Sequence, residues 1–382
     1  MNDFDEQLRK LILRERHNFA GNSSRAIVEL VNLIFDFAIK IRASDIHIEP
    51  FEKALRVRYR VDGQLQELHQ LLPMYLADSL TSRIKILAKM DSTANFLPLD
   101  GSIQFGNVEM RVASMPSFGA EKLTIRLLDS TLRLQNLKDL GFTADNEKIF
   151  RKMINSPSGL IILTGPMNSG KSTTLYAALR ELNTPNRSIM TLEDPIEQHV
   201  EGISQVQVDE KNNLTFAAGL RAMLRMDCNI LMVGEIRDAE TAKIAVRAAL
   251  TGHLIFTTLH ANDSCNAVLR LLEMGVEPYF LAATLKCVVA QRLVRRICPY
   301  CQAKGCKICF GTGYNGRIAL HEILRADNQL RNLILNGKSL DEIKNSVNLK
   351  TLADDANEKI RAGVTNLKEI YRVLGDDANV PR

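Results

Sequence analysis

Leu160-Ile161-Ile162-Leu163-Thr164-Gly165-Pro166-Met167-Asn168-Ser169-Gly170-Lys171-Ser172 decides the fold. Leu160–Thr164 is a short apolar run without alternation, which suits a strand buried on both faces. It enters the pattern G-x-x-x-x-G-K-[ST], and Ser172–Leu182 leaves it with helical spacing. Strand, glycine loop and helix in that order make a phosphate-binding loop. Backbone N–H groups and the helix N-terminus would wrap the β-phosphate, Lys171 would neutralise β/γ charge, and Ser172 would ligate Mg²⁺. Glycines at both ends allow a backbone approach that a Cβ would block. Gly165, Pro166, Met167, Asn168, Ser169, Gly170, Lys171, Ser172 and Thr173 are therefore the candidate ATP-binding residues.

Further unalternating runs follow at Ser188–Leu192, Ile230–Val233 and Leu254–Thr258, with helical segments between them. Together they predict a largely parallel α/β domain. Ligands in such sheets bind beyond the C-terminal strand ends, and nucleotide chemistry needs a carboxylate there. Glu193 and Asp194 follow one strand; Gly234 and Glu235 follow the next. The usual second-strand Asp is replaced by Gly234, so Glu235 must carry that role. Asp194 is equally a turn residue ahead of Pro195. His260, after the fourth run, is placed to sense a γ-phosphate, whereas His253 precedes its strand and is structural.

Upstream, Ile27, Leu30, Val31, Ile34, Phe35 and Ala38 recur at helical spacing. Leu55, Val57, Tyr59 and Val61 then alternate with Arg56, Arg58 and Arg60 before Asp62-Gly63, a hairpin signal. A helix near Leu76–Met90 and strands at Val108–Met115 and Lys122–Leu128 complete a small α+β domain. The expected divisions are a helical extension at 1–21, the α+β domain at 22–128, a linker at 129–140, the ATPase domain at 141–297, a cysteine segment at 298–317 and a helical segment at 318–382. Helices dominate after residue 320, and no internal repeat is evident.

Composition bounds the partners. The chain has 382 residues, 24% charged and 46% hydrophobic, which excludes disordered, collagen-like and membrane-spanning classes. A net charge of +5 and 5% aromatic residues argue against a nucleic-acid partner. The acidic start, with no apolar run after it, argues for a cytoplasmic chain.

Cys298-x-x-Cys301-x4-Cys306-x-x-Cys309 offers two pairs of thiolates, which suits a closed, structural Zn²⁺ site. An iron–sulfur cluster and unmetallated thiols are the alternatives. Cys228, Cys265 and Cys287 are isolated and read as core residues.

These features resemble the ATPases of type II secretion and type IV pilus assembly. Beyond the phosphate loop, the resemblance rests on Arg42-Ala43-Ser44-Asp45-Ile46-His47-Ile48-Glu49-Pro50, Arg56–Gly63, Leu192-Glu193-Asp194-Pro195-Ile196-Glu197, Val233-Gly234-Glu235-Ile236-Arg237-Asp238 and Thr258-Leu259-His260-Ala261-Asn262-Asp263. It implies a RecA-like P-loop motor behind a PAS-like α+β domain, assembled as a homo-hexamer. Glu235 becomes the Walker B glutamate, and Glu193 helps to position Mg²⁺ or water. Arg111 and Arg126 come from the N-terminal domain to the phosphates; Arg221, Arg225 and Arg237 surround the nucleotide and the subunit contact.

The same resemblance implies an inner-membrane platform protein as partner, peripheral to which the motor works. It also links the cysteine pairs to assembly rather than retraction motors. The chain departs from the family at Met167-Asn168, at Asp227-Cys228-Asn229 and in the short Gln302–Gly305 connection. It is also expected to lack the further N-terminal docking domain of larger members. The rivals are a nucleic-acid motor using Arg292, Arg295 and Arg296, a retraction motor, and a scaffold that binds nucleotide without turnover.

Overall fold

The computed structural model describes residues 6–7, 10–12, 23–67, 71–94, 97–128 and 136–375. The extension expected at 1–21 and the linker expected at 129–140 thus lie largely outside the described residues; Leu137–Leu140 forms a 3-10 turn. The chain divides into two compact units, residues 1–133 with 298–316 and residues 134–297 with 317–382.

In the first unit, α1 (Ser23–Lys40) buries Ile27, Leu30, Val31, Ile34, Phe35 and Ala38, the stripe its spacing predicts. It is followed by β1 (Ala43–Phe51), β2 (Ala54–Val61), β3 (Gln64–Glu67), β4 (Leu72–Pro73), α2 (Ala77–Leu87), β5 (Leu99–Phe105), β6 (Val108–Pro116) and β7 (Glu121–Leu128). The sheet order is β3-β2-β1-β7-β6-β5, with β4 paired to β2. Asp62 and Gly63 both take positive φ, 49° and 83°, as a two-residue hairpin turn requires. The alternation in β2 holds, with Leu55, Val57, Tyr59 and Val61 buried. Its arginines lie on the other face against the acids of β1: Arg56 and Arg58 pair with Glu49 at 2.9 and 2.6 Å, and Arg60 with Asp45 at 3.4 Å.

The second unit is a layered α/β domain. Its elements are α3 (Ala144–Ile154), β8 (Gly159–Thr164), α4 (Lys171–Leu182), β9 (Ile189–Glu193), β10 (Ser204–Gln207), α5 (Phe216–Met223), β11 (Ile230–Val233), α6 (Ala239–Leu250), β12 (Leu254–Leu259), α7 (Ser264–Glu273), α8 (Pro278–Thr284), β13 (Leu285–Ile297), β14 (Tyr314–Arg325), α9 (Asn328–Leu335), α10 (Leu340–Ser346), α11 (Leu352–Arg361) and α12 (Leu367–Leu374).

The sheet order is β10-β9-β11-β12-β8-β13-β14. Pairing is parallel from β10 through to β13. Successive strand residues feed opposite cores: Leu160, Ile162, Leu231 and Val233 face one, and Ile161, Leu163, Ile230 and Met232 the other. That is why these runs show no polar alternation. The same reason hides the length of β14: Gly311–Arg317 reads as a tight turn back into a strand, but that strand extends past residue 320 to Arg325, where helix was expected. Ala319–Leu324 is buried at every position.

Candidate active site

The strand order puts β8 between β12 and β13, with β11 beyond β12, so the loop after β8 opens among three other strand ends. In that loop Gly165, Asn168 and Gly170 hold φ of 148°, 61° and 88°. A Cβ on Gly165 would sit 2.5 Å from the Gln291 carbonyl oxygen, and one on Gly170 would sit 2.7 Å from Gln291 Nε2. Both glycines are therefore required, and Asn168 tolerates the left-handed conformation. Met167 stands outside, 79% exposed.

Lys171 is buried and donates to the carbonyls of Gly165 at 2.8 Å and Pro166 at 2.9 Å. Burial lowers its pKa, and Arg292 adds to that while Glu235 opposes it. The Ser169 hydroxyl is buried without a partner. Ser172 is half-buried and Thr173 exposed at the start of α4. A cradle lined by glycine backbone, a lysine tied only to carbonyls and an orphaned hydroxyl fits an incoming phosphate.

The carboxylates separate into two environments. Glu235 is fixed by the strand ends: Thr258 Oγ1 donates to Gly234 O at 2.8 Å, and Ile236 N to Thr258 O at 3.1 Å. Its Oε1 accepts from Arg237 Nε at 2.7 Å, and its Oε2 lies 3.2 Å from His260 Nε2. Arg237 also donates to Asp194 Oδ2 at 3.1 Å, so the residue open to a plain turn reading is tied into the same network. Although burial works against its charge, the hydrogen bonds to Glu235 and the pairing with Asp194 raise the pKa of Arg237.

Glu193 is different: it is buried, with Tyr176, Thr191 at 2.6 Å and Gln205 at 3.0 Å as donors. All three donors are neutral. Arg221 pairs with Glu240, and Arg225 donates to the Arg221 carbonyl at 3.1 Å; both side chains are exposed.

Sequence reading missed Gln291, Tyr176 and Gln205, and took Arg292 only as part of a basic cluster. A polar residue directly after the unbroken apolar run Cys287–Ala290 was the available signal for Gln291. Arg292 donates to Gln291 O at 3.0 Å and Asn262 O at 2.6 Å. Arg295 is bound to buried Glu369 at 2.7 Å. The basic cluster at 292–296 is therefore largely committed within the second unit. In the first unit, Arg111 and Arg126 stand directly opposite each other on β6 and β7. Like charges so placed repel, and Asp45 relieves Arg126 at 3.1 Å.

The four cysteine sulfurs lie within 4.8 Å of one another, despite the short connection between the pairs. Sγ separations are 3.9 Å for 298–306 and 3.7 Å for both 301–309 and 306–309. Four thiolates around a tetrahedral zinc at about 2.3 Å lie about 3.8 Å apart, so the residues fit that ion. Burial would raise the Cys309 thiol, but N–H groups of Cys306 and Gly313 donating to its sulfur draw it down to about 6.

The expectation of no internal repeat is corrected here: C-x-x-C-x3-G recurs at a period of 8, ending at Gly305 and Gly313. Those glycines, at φ 87° and 78°, pack against the opposite knuckle. Within the same unit Phe310 meets Phe37 edge-on at 6.3 Å, and Gly316 N donates to Asp62 at 2.9 Å. Cys265 and Cys287 are buried, and burial pushes each thiol up to about 12, as suits core residues.

Residues 21–372 match the family described as Type II/IV secretion system protein. The type II secretion system ATPase E of Vibrio cholerae is 45% identical, over 91% of this chain and 75% of that one. The type IV pilus assembly ATPase PilB of Myxococcus xanthus is 42% identical, over 90% of this chain and 67% of that one. Among solved structures, the pilus retraction motor PilT with bound ADP is 26% identical at a TM-score of 0.65, covering 91% of this chain and 96% of that one. The chain belongs to the type II/IV secretion system protein family and is one of its ATPases.

Proposed function

We propose that the chain is the ATP-hydrolysing, hexameric motor that powers assembly of a type IV pilus or a type II secretion pseudopilus. It works at the cytoplasmic face of the inner membrane, through a membrane platform protein. No helix among the described residues is long and apolar enough to cross a membrane, in keeping with a peripheral position. The observation that carries the reading is Glu235 held between Arg237 and His260 at the tips of β11 and β12, on the side of the sheet edge where β8 delivers its glycine loop.

Bound ATP with Mg²⁺ supplies the phosphoryl group and its charge neutralisation. Lys171 would exchange its two carbonyls for phosphate oxygens, and Ser172 would hold Mg²⁺. Glu235 orients water and takes its proton, while His260 and Arg237 fix the carboxylate. Glu193, held by its three neutral donors, orders the strand end from which Asp194 meets Arg237. Arg111 and Arg126 neutralise phosphate charge, and Arg221 and Arg225 serve the nucleotide and the subunit contact. Cys298, Cys301, Cys306 and Cys309 would hold a structural Zn²⁺; the tetracysteine cluster and the similarity to PilB support assembly over retraction.

The hexamer is tested by phosphate release per chain across rising protein concentration, with sedimentation alongside. The rate is expected to climb as the chain assembles; a constant rate through assembly would contradict arginines acting across subunits. A nucleic-acid motor finds no support in Arg295, which is bound to Glu369.

A further inference from the structure

Gln291 is 2% exposed and lies one residue beyond Ala290, the partner of Thr164 at the end of β8. It is thus level with the start of the phosphate loop. Its side-chain amide uses both ends. Nε2 donates to the Ser169 carbonyl at 2.9 Å, and Oε1 accepts from Thr174 Oγ1, on the first turn of α4, at 2.8 Å. One planar group from β13 therefore spans the last residues of the loop and the helix that follows.

The consequence follows from peptide geometry. In a planar trans peptide the C=O and the next N–H point in opposite directions. Pinning the Ser169 carbonyl to Gln291 turns the Gly170 N–H away from β13. The approach is close enough that any side chain at Gly170 would collide with Gln291 Nε2, at 2.7 Å from a Cβ. Glycine and glutamine are thus complementary at this contact. A buried glutamine serving packing alone needs partners for its two ends, but nothing requires both partners to belong to the phosphate loop and its helix.

We infer that Gln291 is a positioning residue for nucleotide binding, fixing the Ser169–Gly170 peptide so that its N–H is presented to phosphate. This rests on the reading of residues 165–172 as the phosphate site. Small errors in such donors weaken binding and catalysis together, because the site must be held by residues behind it.

The test compares ADP affinity by calorimetry and the nucleotide-free unfolding midpoint for the full chain and for Gln291→Met, Gln291→Glu, Thr174→Val, the Gln291→Met/Thr174→Val double variant and Lys171→Ala. Gln291→Met and Gln291→Glu are expected to weaken ADP binding by roughly tenfold, the scale of one hydrogen bond, together with some fall in the nucleotide-free midpoint from the polar groups left unpaired. The double variant should be little worse than Gln291→Met, because both act through one bridge. Lys171→Ala should abolish binding.

If Lys171→Ala abolishes binding while both Gln291 variants bind ADP within about twofold of the parent, the inference is overturned. A lowered unfolding midpoint with unchanged ADP affinity would likewise leave Gln291 a packing residue and overturn it. Normal ADP binding by Lys171→Ala would instead overturn the phosphate-loop reading. Should Gln291→Met fail to fold, Thr174→Val, which releases the acceptor end of the bridge without adding charge, decides on the same thresholds.

Discussion

His260 Nε2 lies 3.2 Å from Glu235 Oε2, the two residues standing just beyond the ends of adjacent parallel strands. The other carboxylate oxygen is held by Arg237 at 2.7 Å. The imidazole thus sets the direction of the glutamate rather than its charge alone. His260→Ala is expected to lower kcat by about tenfold to a hundredfold while ADP affinity stays close to the parent. Steady-state phosphate release and ADP calorimetry measure the two halves. Loss of ADP affinity with kcat preserved would place His260 on the ground-state nucleotide instead.

The cysteine geometry predicts one zinc per chain, measured by elemental analysis after extensive dialysis. Cys309→Ser removes the sulfur that accepts backbone N–H groups of Cys306 and Gly313, and should abolish the metal. Because Phe310 and Gly316 join this segment to α1 and the Asp62 turn, chelation should also expose Phe310 and lower the unfolding midpoint. Iron with visible absorbance in the metal analysis would point to the cluster alternative.

The phosphate loop was legible because its chemistry is local: strand, glycines, lysine and helix are contiguous from Leu160 to Leu182. The alternation of Leu55–Val61 was equally readable, since one face of that strand is buried. Pairings between distant positions left no such mark. Gln291 meets Ser169 across 122 residues, and Arg237 meets Asp194 across 43. The placement of residues 298–316 in the unit of residues 1–133 depends on contacts such as Asp62 with Gly316, separated by 254 residues. The run of β14 past residue 320 escaped for another reason: burial of Ala319–Leu324 at every position removes the periodicity that would reveal it.

His321 gives a pH prediction. It is fully buried, stacks on Phe142 with ring centroids 3.6 Å apart, and has its backbone N–H on Asp355 Oδ2 at 2.7 Å. Burial, with Lys359 adding to it, holds the imidazole pKa well below the ordinary histidine value. The unfolded chain therefore takes up a proton near pH 6.5 that the folded chain refuses, so stability present above that pH is lost as pH falls below it. The unfolding midpoint should drop between about pH 7 and pH 5, and His321→Phe should flatten that slope. An unchanged slope in the variant would assign the pH dependence to other groups.

The central claim is that Glu235 activates water beside a nucleotide held by residues 165–172, and phosphate release by Glu235→Gln tests it most directly. The amide keeps the size and the contacts to His260 and Arg237 available while removing the base. The account predicts a fall in kcat of about a hundredfold or more with ATP affinity retained. A Glu235→Gln chain that releases phosphate at the parent rate would contradict it.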